Sequence, residues 1–250
     1  MNVSIVTVVL NCKEFIRDCL ESVKSQTYSE IQHIIIDGGS TDGTLEVIRE
    51  NASSSAILIS EPDLGYYDAL NKGIQMSNGI VLGILNADDR FASVYVVENV
   101  MKSFQLEQCE AVYGNVNYIK RDNLDIVQRR WEDRNFDIMR FKTGWMPAHT
   151  SLFLNSSLFD SYGKYSLSFG TCADYDLIIR FLYLKKIKTI YRDELFISMR
   201  TGGISNGSFA KLLHAIKNDY LILKSHNFKY VWIVLILKKL RKLQQYQLYG

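Results

Sequence analysis

Proline is scarce in this 250-residue chain: Pro62 and Pro147 are the only two, so no Pro-rich linker divides it. The four cysteines (Cys12, Cys19, Cys109, Cys172) form no CxxC and no cluster with histidine. That excludes the usual zinc and redox spacings and leaves free buried thiols in a reducing cytosol. No apolar run approaches the ~20 residues that a bilayer span needs. The chain opens directly into Val3–Leu10, without a basic stretch or a small-residue cleavage site, so a strand and no signal peptide is expected there. A formal charge of +2 gives no case for nucleic acid. No GxGxxG follows the first strand, where Asn11-Cys12-Lys13-Glu14 stands, and a nicotinamide-binding Rossmann fold fails on that ground.

What is present reads as one folded α/β domain. Hydrophobic residues at 47% and charged residues at 22% exclude disorder, and the length suits one good core better than two. Val3–Leu10 is apolar and β-branched throughout, as in a strand buried on both faces. Phe15, Ile16, Cys19, Leu20 and Val23 then recur at helical spacing. Strands over 31–36, 56–60 and 80–85 alternate with helices over 44–50, around Leu70 and Ile74, and from Val94 to Phe104. Four such repeats with short links predict a mostly parallel sheet with right-handed crossovers, flanked by helices. The later part is less regular. It holds a hairpin around Arg121-Asp122-Asn123, strands at 150–154, 187–191 and 195–199, a helix over 175–184, and helix from Ser208 onward.

In an open parallel sheet, ligands bind beyond the carboxyl ends of the strands. Those ends read Asn11, then Asp37-Gly38-Gly39-Ser40-Thr41-Asp42-Gly43-Thr44, then Ser60-Glu61-Pro62-Asp63, then Asn86-Ala87-Asp88-Asp89. Each has an ordinary alternative: a Gly-rich turn with Asp42 capping the next helix, or a solvated turn at Asp88-Asp89. Two adjacent carboxylates directly after a buried strand repel each other unless something positive sits there. A hard cation, Mn²⁺ or Mg²⁺, supplies that charge and completes its shell with phosphate oxygens.

These runs, together with Leu64-Gly65-Tyr66-Tyr67-Asp68-Ala69-Leu70-Asn71-Lys72-Gly73, resemble glycosyltransferase family 2, above all its bacterial branch that builds O-antigen, capsule and colanic-acid-like polysaccharides. The resemblance continues through Pro147-Ala148-His149, Ala173-Asp174-Tyr175-Asp176-Leu177 and Gly202-Gly203-Ile204-Ser205, and covers about residues 1–206. It implies a GT-A fold with a nucleotide-sugar half (1–108) and an acceptor half (109–206), followed by a helical extension (207–250). It also implies inverting transfer of a hexose or N-acetylhexosamine from a nucleotide-diphosphate sugar, a UDP-sugar, to a sugar on a polyprenyl-pyrophosphate lipid. By the same resemblance Asp37 contacts the base or ribose, with Val8, Asn11, Asp63 and Lys72 also on the donor side. Asp88 faces the ribose and phosphates and shares the metal site, Asp89 is the metal ligand, and Asp174 is the general base. Two positions depart from a common form of the pattern: Gly38 replaces a second aspartate, and Ala173 replaces a glutamate.

Several residues keep two readings. Asp174 serves as base, as the cap of its helix, or as both. His149 reads as a metal or acceptor contact or as a structural histidine. Trp145, Met146 and Tyr162 read as a sugar platform or as core. The loop Gly202-Gly203 reads as a flap over the donor diphosphate.

After Asp219 there is no acidic residue, while Lys224, Lys229, Lys238, Lys239, Arg241 and Lys242 follow it. Residues 228–243 therefore suit an interfacial helix on an anionic membrane, at the cytoplasmic face of the inner membrane. Packing on the sheet, or on a second subunit in a homodimer, is the alternative. Two other functions share the motif logic. A sugar nucleotidyltransferase is expected to carry a basic Gly-rich loop after strand one, which is missing; a non-catalytic nucleotide-sugar-binding protein is separated only by turnover.

Overall fold

The computed structural model describes residues 1–133, 135–202 and 209–245. Strands β1 (Val3–Val9), β2 (Ile31–Asp37), β3 (Ile57–Ser60) and β4 (Val81–Ile84) pair in parallel, in the order β3-β2-β1-β4. Helices α1 (Ile16–Lys24), α2 (Thr44–Asn51) and α3 (Tyr66–Met76) make the crossovers. Side chains alternate between two cores. Val3, Ile5, Val9 and Ile35 face α1 and α2, whereas Val6, Ile34 and Ile36 face α3 and the later helices. That period of two on strands buried on both sides is why the sequence shows apolar runs rather than alternation. Helix α3 lies so close to β1 that a Cβ on Gly73 would stand 2.4 Å from a Val6 methyl.

After β4 the chain departs from simple β-α repetition. A two-residue strand, β5 (Arg90–Phe91), comes before α4 (Val96–Glu107) and pairs antiparallel with β9 (Thr189–Arg200), at the far edge. The loop Leu85–Asp89 therefore spans from the centre of the sheet to its other side. Strand β6 (Ala111–Lys120) has β9 parallel on one edge. On its other edge β8 (Leu152–Asn155) takes the lower half, and β7 (Asn123–Trp131) the upper. The segment 132–151 leaves the sheet between them.

Three expectations are refined. The runs 187–191 and 195–199 belong to one strand, β9, because a register shift opposite Tyr113–Asn115 absorbs the polar residues between them. The segment 150–154 begins as a 3-10 turn over His149–Ser151 before β8. The helix expected over 175–184 is α6 (Ala173–Ile178), continued by a wider π turn over Ile179–Leu184. Between β8 and α6 stands α5 (Ser157–Tyr162). Beyond β9, α7 (Phe209–Ser225) and α8 (Val231–Gln244) pack on the α3 side of the sheet. Ile222, Leu223, Val234 and Leu235 are buried there in the same core as Val6 and Leu70. Among the described residues no helix is long and apolar enough to cross a membrane.

Candidate active site

The loops at the carboxyl ends of β1 to β4 lie together, but they use their carboxylates in different ways. Asp37 is fully buried. It accepts hydrogen bonds from the Gly39 amide (3.1 Å), the Ser40 amide (3.0 Å), the Ser60 hydroxyl (2.7 Å) and the Ser40 hydroxyl. Four donors occupy its oxygens, so it shapes the loop after β2. Asn11, at a left-handed φ of 50°, accepts from the Thr41 amide at 2.9 Å and braces the same loop. Val8 pairs in register with Ile36 and is only partly buried, against the α3 side.

Asp63 is different. One oxygen accepts from the Gly65 amide at 2.7 Å, and the other stands 2.5 Å from where a Cβ on Gly38 would be. The missing side chain at Gly38 thus leaves room that the Asp63 carboxylate fills. Lys72 is committed to bracing: its ammonium is 2.7 Å from Glu61, 3.7 Å from Asp68 and 3.2 Å from the Pro62 carbonyl.

Asp88 and Asp89 divide sharply. Asp89 has 0% exposure; it accepts from the Arg200 amide at 3.0 Å and from the Asn86 side-chain amide at 2.8 Å. Burial, and then the neighbouring Asp88 charge, push its pKa well up. Asp88 is half-buried, and among the described residues no other side chain lies within hydrogen-bond distance of its carboxylate. Burial raises its pKa as well, opposed by the charges of Arg121 and Arg200. The expectation of Asp89 as the metal ligand meets a closed site, and the accessible oxygens belong to Asp88. Among the described residues no three His, Cys, Asp or Glu side chains gather to hold an ion unaided. The donor set fits a hard cation that takes one carboxylate here and its remaining ligands from a diphosphate and water.

Around this point stand groups that the motifs did not single out. Arg200, buried at the end of β9, donates to the Asp88 carbonyl (2.8 Å) and pairs with Asp18 of α1. Arg121, exposed at the β6–β7 turn, lies 4.2 Å over the Phe15 ring, with Arg200 over the same ring at 4.8 Å. Gly202, at a φ of +99°, is next to Arg121, just beyond the end of β9. Gly203 lies outside the described residues.

Tyr66 joins the two halves of the site. Its hydroxyl donates to Asn86 at 2.7 Å, and its pKa is raised by burial and then by the charges of Asp89, Asp174 and Asp88. Asp174, 85 positions after Asp89 in the chain, is thereby brought within electrostatic range of the pair. It sits half-buried in the first turn of α6, and its carboxylate makes no hydrogen bond to another described residue. Tyr67, Tyr165 and His149 lie within range of its charge. His149 shares a 2.8 Å hydrogen bond with the Tyr165 hydroxyl. Burial lowers the His149 pKa, with Asp174 opposing, so the ring is neutral near pH 7. Asp176 points elsewhere: it pairs with Arg180 (2.8 Å) and His226 (2.7 Å), tying α6 to the end of α7. Trp145 and Met146 are core residues, with the Trp145 indole donating to Asp133 at 2.7 Å.

The parallel strands thus carry acidic loops at their carboxyl edge, and the mixed half that follows brings Asp174 within electrostatic range of them. Residues 4–161 match the family model for glycosyl transferase family 2, and the chain belongs to that family. It is 30% identical over 208 residues to a PGL/p-HBAD biosynthesis glycosyltransferase of Mycobacterium bovis, covering 81% of this chain and 78% of the relative. Its fold superposes on S. aureus TarS 1–349 in complex with UDP-GlcNAc, with a TM-score of 0.70 at 12% identity over 90% of this chain and 66% of that one. It also superposes on the mannosyltransferase PcManGT of Pyrobaculum calidifontis in complex with GDP-Man and Mn²⁺, with a TM-score of 0.64 at 16% identity over 95% and 68%. The fold is therefore GT-A.

Proposed function

We propose that this glycosyltransferase moves a hexosyl group, with inversion, from a nucleotide-diphosphate sugar to a sugar hydroxyl, with Asp174 as the base and Asp88 as the metal-binding carboxylate. The observation that carries the reading is that two partly exposed carboxylates, Asp88 and Asp174, both lie within electrostatic range of Tyr66. Mn²⁺ or Mg²⁺ bound at Asp88 would neutralise charge developing on the departing diphosphate. The chain's own part is positioning. Asp37 and Asn11 hold the loop after β2, Asp63 offers the open oxygen toward the nucleoside, and Arg121 supplies a cation for the diphosphate. Asp174 accepts the acceptor's proton as the hydroxyl attacks the anomeric carbon, near the cluster of Tyr67, Tyr165 and His149.

Support for a nucleotide-sugar donor comes from the two fold neighbours, one in complex with UDP-GlcNAc and the other with GDP-Man and Mn²⁺. A thermal-shift panel of UDP- and GDP-sugars with and without Mn²⁺ tests it. One donor is expected to raise the melting temperature, and to do so only with metal; at 100 times Kd the stabilisation is about 2.7 kcal/mol. No shift with any sugar nucleotide sinks the reading.

The acceptor is proposed to be a sugar on a polyprenyl-pyrophosphate lipid of bacterial surface polysaccharide synthesis, reached at the membrane surface. Helix α8 supports this. One face buries Val234 and Leu235, while Trp232 (62%), Ile233 (54%), Ile236 (59%) and Leu240 (52%) are exposed beside Lys239 and Lys242. Helix α8 packs on the core through Val234 and Leu235, and its exposed face is the one proposed to lie on the membrane. Because α8 is part of the core, truncation would damage the fold. The triple change Ile233→Ser, Ile236→Ser, Leu240→Ser, which spares the Trp232 ring packed on Tyr220 at 4.9 Å, is the cleaner test: it is expected to release the protein from vesicles containing phosphatidylglycerol without lowering its melting temperature. Equal vesicle binding by both proteins refutes membrane docking through α8.

A further inference from the structure

The two adjacent tyrosines that open α3 reach different parts of the site. Tyr66 donates to the Asn86 side chain at 2.7 Å, and Asn86 in turn donates to Asp89 at 2.8 Å, inside the loop that carries Asp88. Tyr67 donates to the Thr171 carbonyl at 3.3 Å, in the turn that leads into Asp174. Burial and then the Asp174 charge raise the Tyr67 pKa well above its ordinary value, while a hydrogen bond from the Asp174 backbone opposes them. The two rings meet edge to face, with 5.0 Å between centroids and 82° between planes.

Neither hydroxyl is needed to fill the core. Both rings pack against it while only partly buried, and phenylalanine would cover the same apolar surface. A hydroxyl drawn out of water must find a partner. These two find theirs on the two segments that carry Asp88 and Asp174. Side chains one position apart on a helix diverge by roughly 100°, so one helical turn serves two directions. Asn71, one turn further along, repeats the direction of Tyr67. Its amide donates to the Tyr165 carbonyl at 2.9 Å, and its oxygen accepts from the Tyr165 amide at 3.0 Å. The Tyr165 ring lies 5.3 Å from that of Tyr67, and its hydroxyl meets His149.

The turn that bears the tyrosines is itself pinned. Asp68 accepts from the Leu64 amide at 3.0 Å, and Asp63 from the Gly65 amide at 2.7 Å. The close seat of Gly73 on Val6 holds the rest of α3 against β1. We propose that Tyr66 and Tyr67 are positioning residues. Tyr66 holds the loop of the metal-binding carboxylate, Tyr67 holds the turn of the base, and the helical turn that bears both sets where Asp174 stands relative to Asp88. The proposal rests on the transferase reading above and adds the residues that register its two carboxylates against each other.

Tyr66→Phe and Tyr67→Phe test it by what each loses, since both keep the ring and its packing. Calorimetry with UDP-GlcNAc and GDP-mannose, each with Mn²⁺, reads the donor site. Release of nucleoside diphosphate with water as the acceptor reads turnover; the water oxygen attacks the anomeric carbon and its proton passes to Asp174. Tyr67→Phe is expected to lower turnover about tenfold with a donor Kd close to that of wild type, because a misplaced base slows the chemical step alone. Tyr66→Phe is expected to weaken Mn²⁺-dependent donor binding about tenfold, through the loosened loop. Hydrogen exchange on the ligand-free protein reads the same division without a donor. Tyr67→Phe should speed exchange over 171–176 and spare 85–90, and Tyr66→Phe should do the reverse. If both variants change the same constant and the same segment, or neither changes any, the proposal is overturned, since a purely structural role would not divide the effects. Failure of every sugar nucleotide to bind the wild type would instead count against the donor reading, and the exchange pattern would still decide whether the two hydroxyls hold the two segments.

Discussion

Asp174→Asn is expected to lower turnover on the order of 10²–10⁴-fold while leaving the Kd for donor and metal nearly unchanged. The substitution keeps the shape and the polarity of the side chain in the first turn of α6 but removes its capacity to take a proton. Its wild-type carboxylate makes no hydrogen bond to another described residue, so the fold has little to lose there. A melting temperature within a few degrees of wild type is part of the expectation. His149 is the internal rival, because it is neutral near pH 7 and stands in the same cluster. Its Nε2, however, already shares a hydrogen bond with Tyr165. A His149→Gln enzyme should therefore lose much less activity than Asp174→Asn. If the order is reversed, or if Asp174→Asn loses donor affinity in the same proportion as rate, Asp174 is not the base.

Much of this architecture was legible from periodicity. Runs such as Val3–Leu10 and 31–36 announce strands buried on both faces, and the alternating helices dictate parallel pairing. The loops were legible too, since polar residues at the ends of buried strands have few other places to go. What the sequence does not display is which carboxylates remain open. Asp37 is closed by donors within its own loop and from Ser60, 23 residues away. Asp89 is closed by the Arg200 amide, 111 residues away, through a two-residue strand too short to leave a pattern. Lys72, expected on the donor, is bound to Glu61, its partner across the β3–α3 link. Tyr165 and Arg121 carry no local signal, because their relevance arises only from contacts with His149 and Phe15, which lie elsewhere in the chain. In each case a long-range partner decides, and local propensity is silent about partners.

The contrast between the adjacent acids gives the second large effect, measured on two axes at once. Asp88→Ala is expected to abolish the metal dependence of donor binding with little effect on folding, since no other described side chain is hydrogen-bonded to that carboxylate. Without metal it should hold or raise the melting temperature, because the Asp88 charge, after burial, is what raises the pKa of Asp89. Such a gain on removing a functional group is the usual sign that two like charges are kept together for a ligand's sake. Asp89→Ala should do the opposite. It leaves the Arg200 amide and the Asn86 side chain buried without their acceptor, at a cost of about 1–3 kcal/mol for each. It also loosens β9 from the loop after β4, so donor binding falls through misplacement of Asp88. Calorimetry with and without Mn²⁺, read beside thermal melts, separates the two. Intact metal-dependent binding in Asp88→Ala, together with its loss in an Asp89→Ala protein of unchanged stability, would return the metal to Asp89.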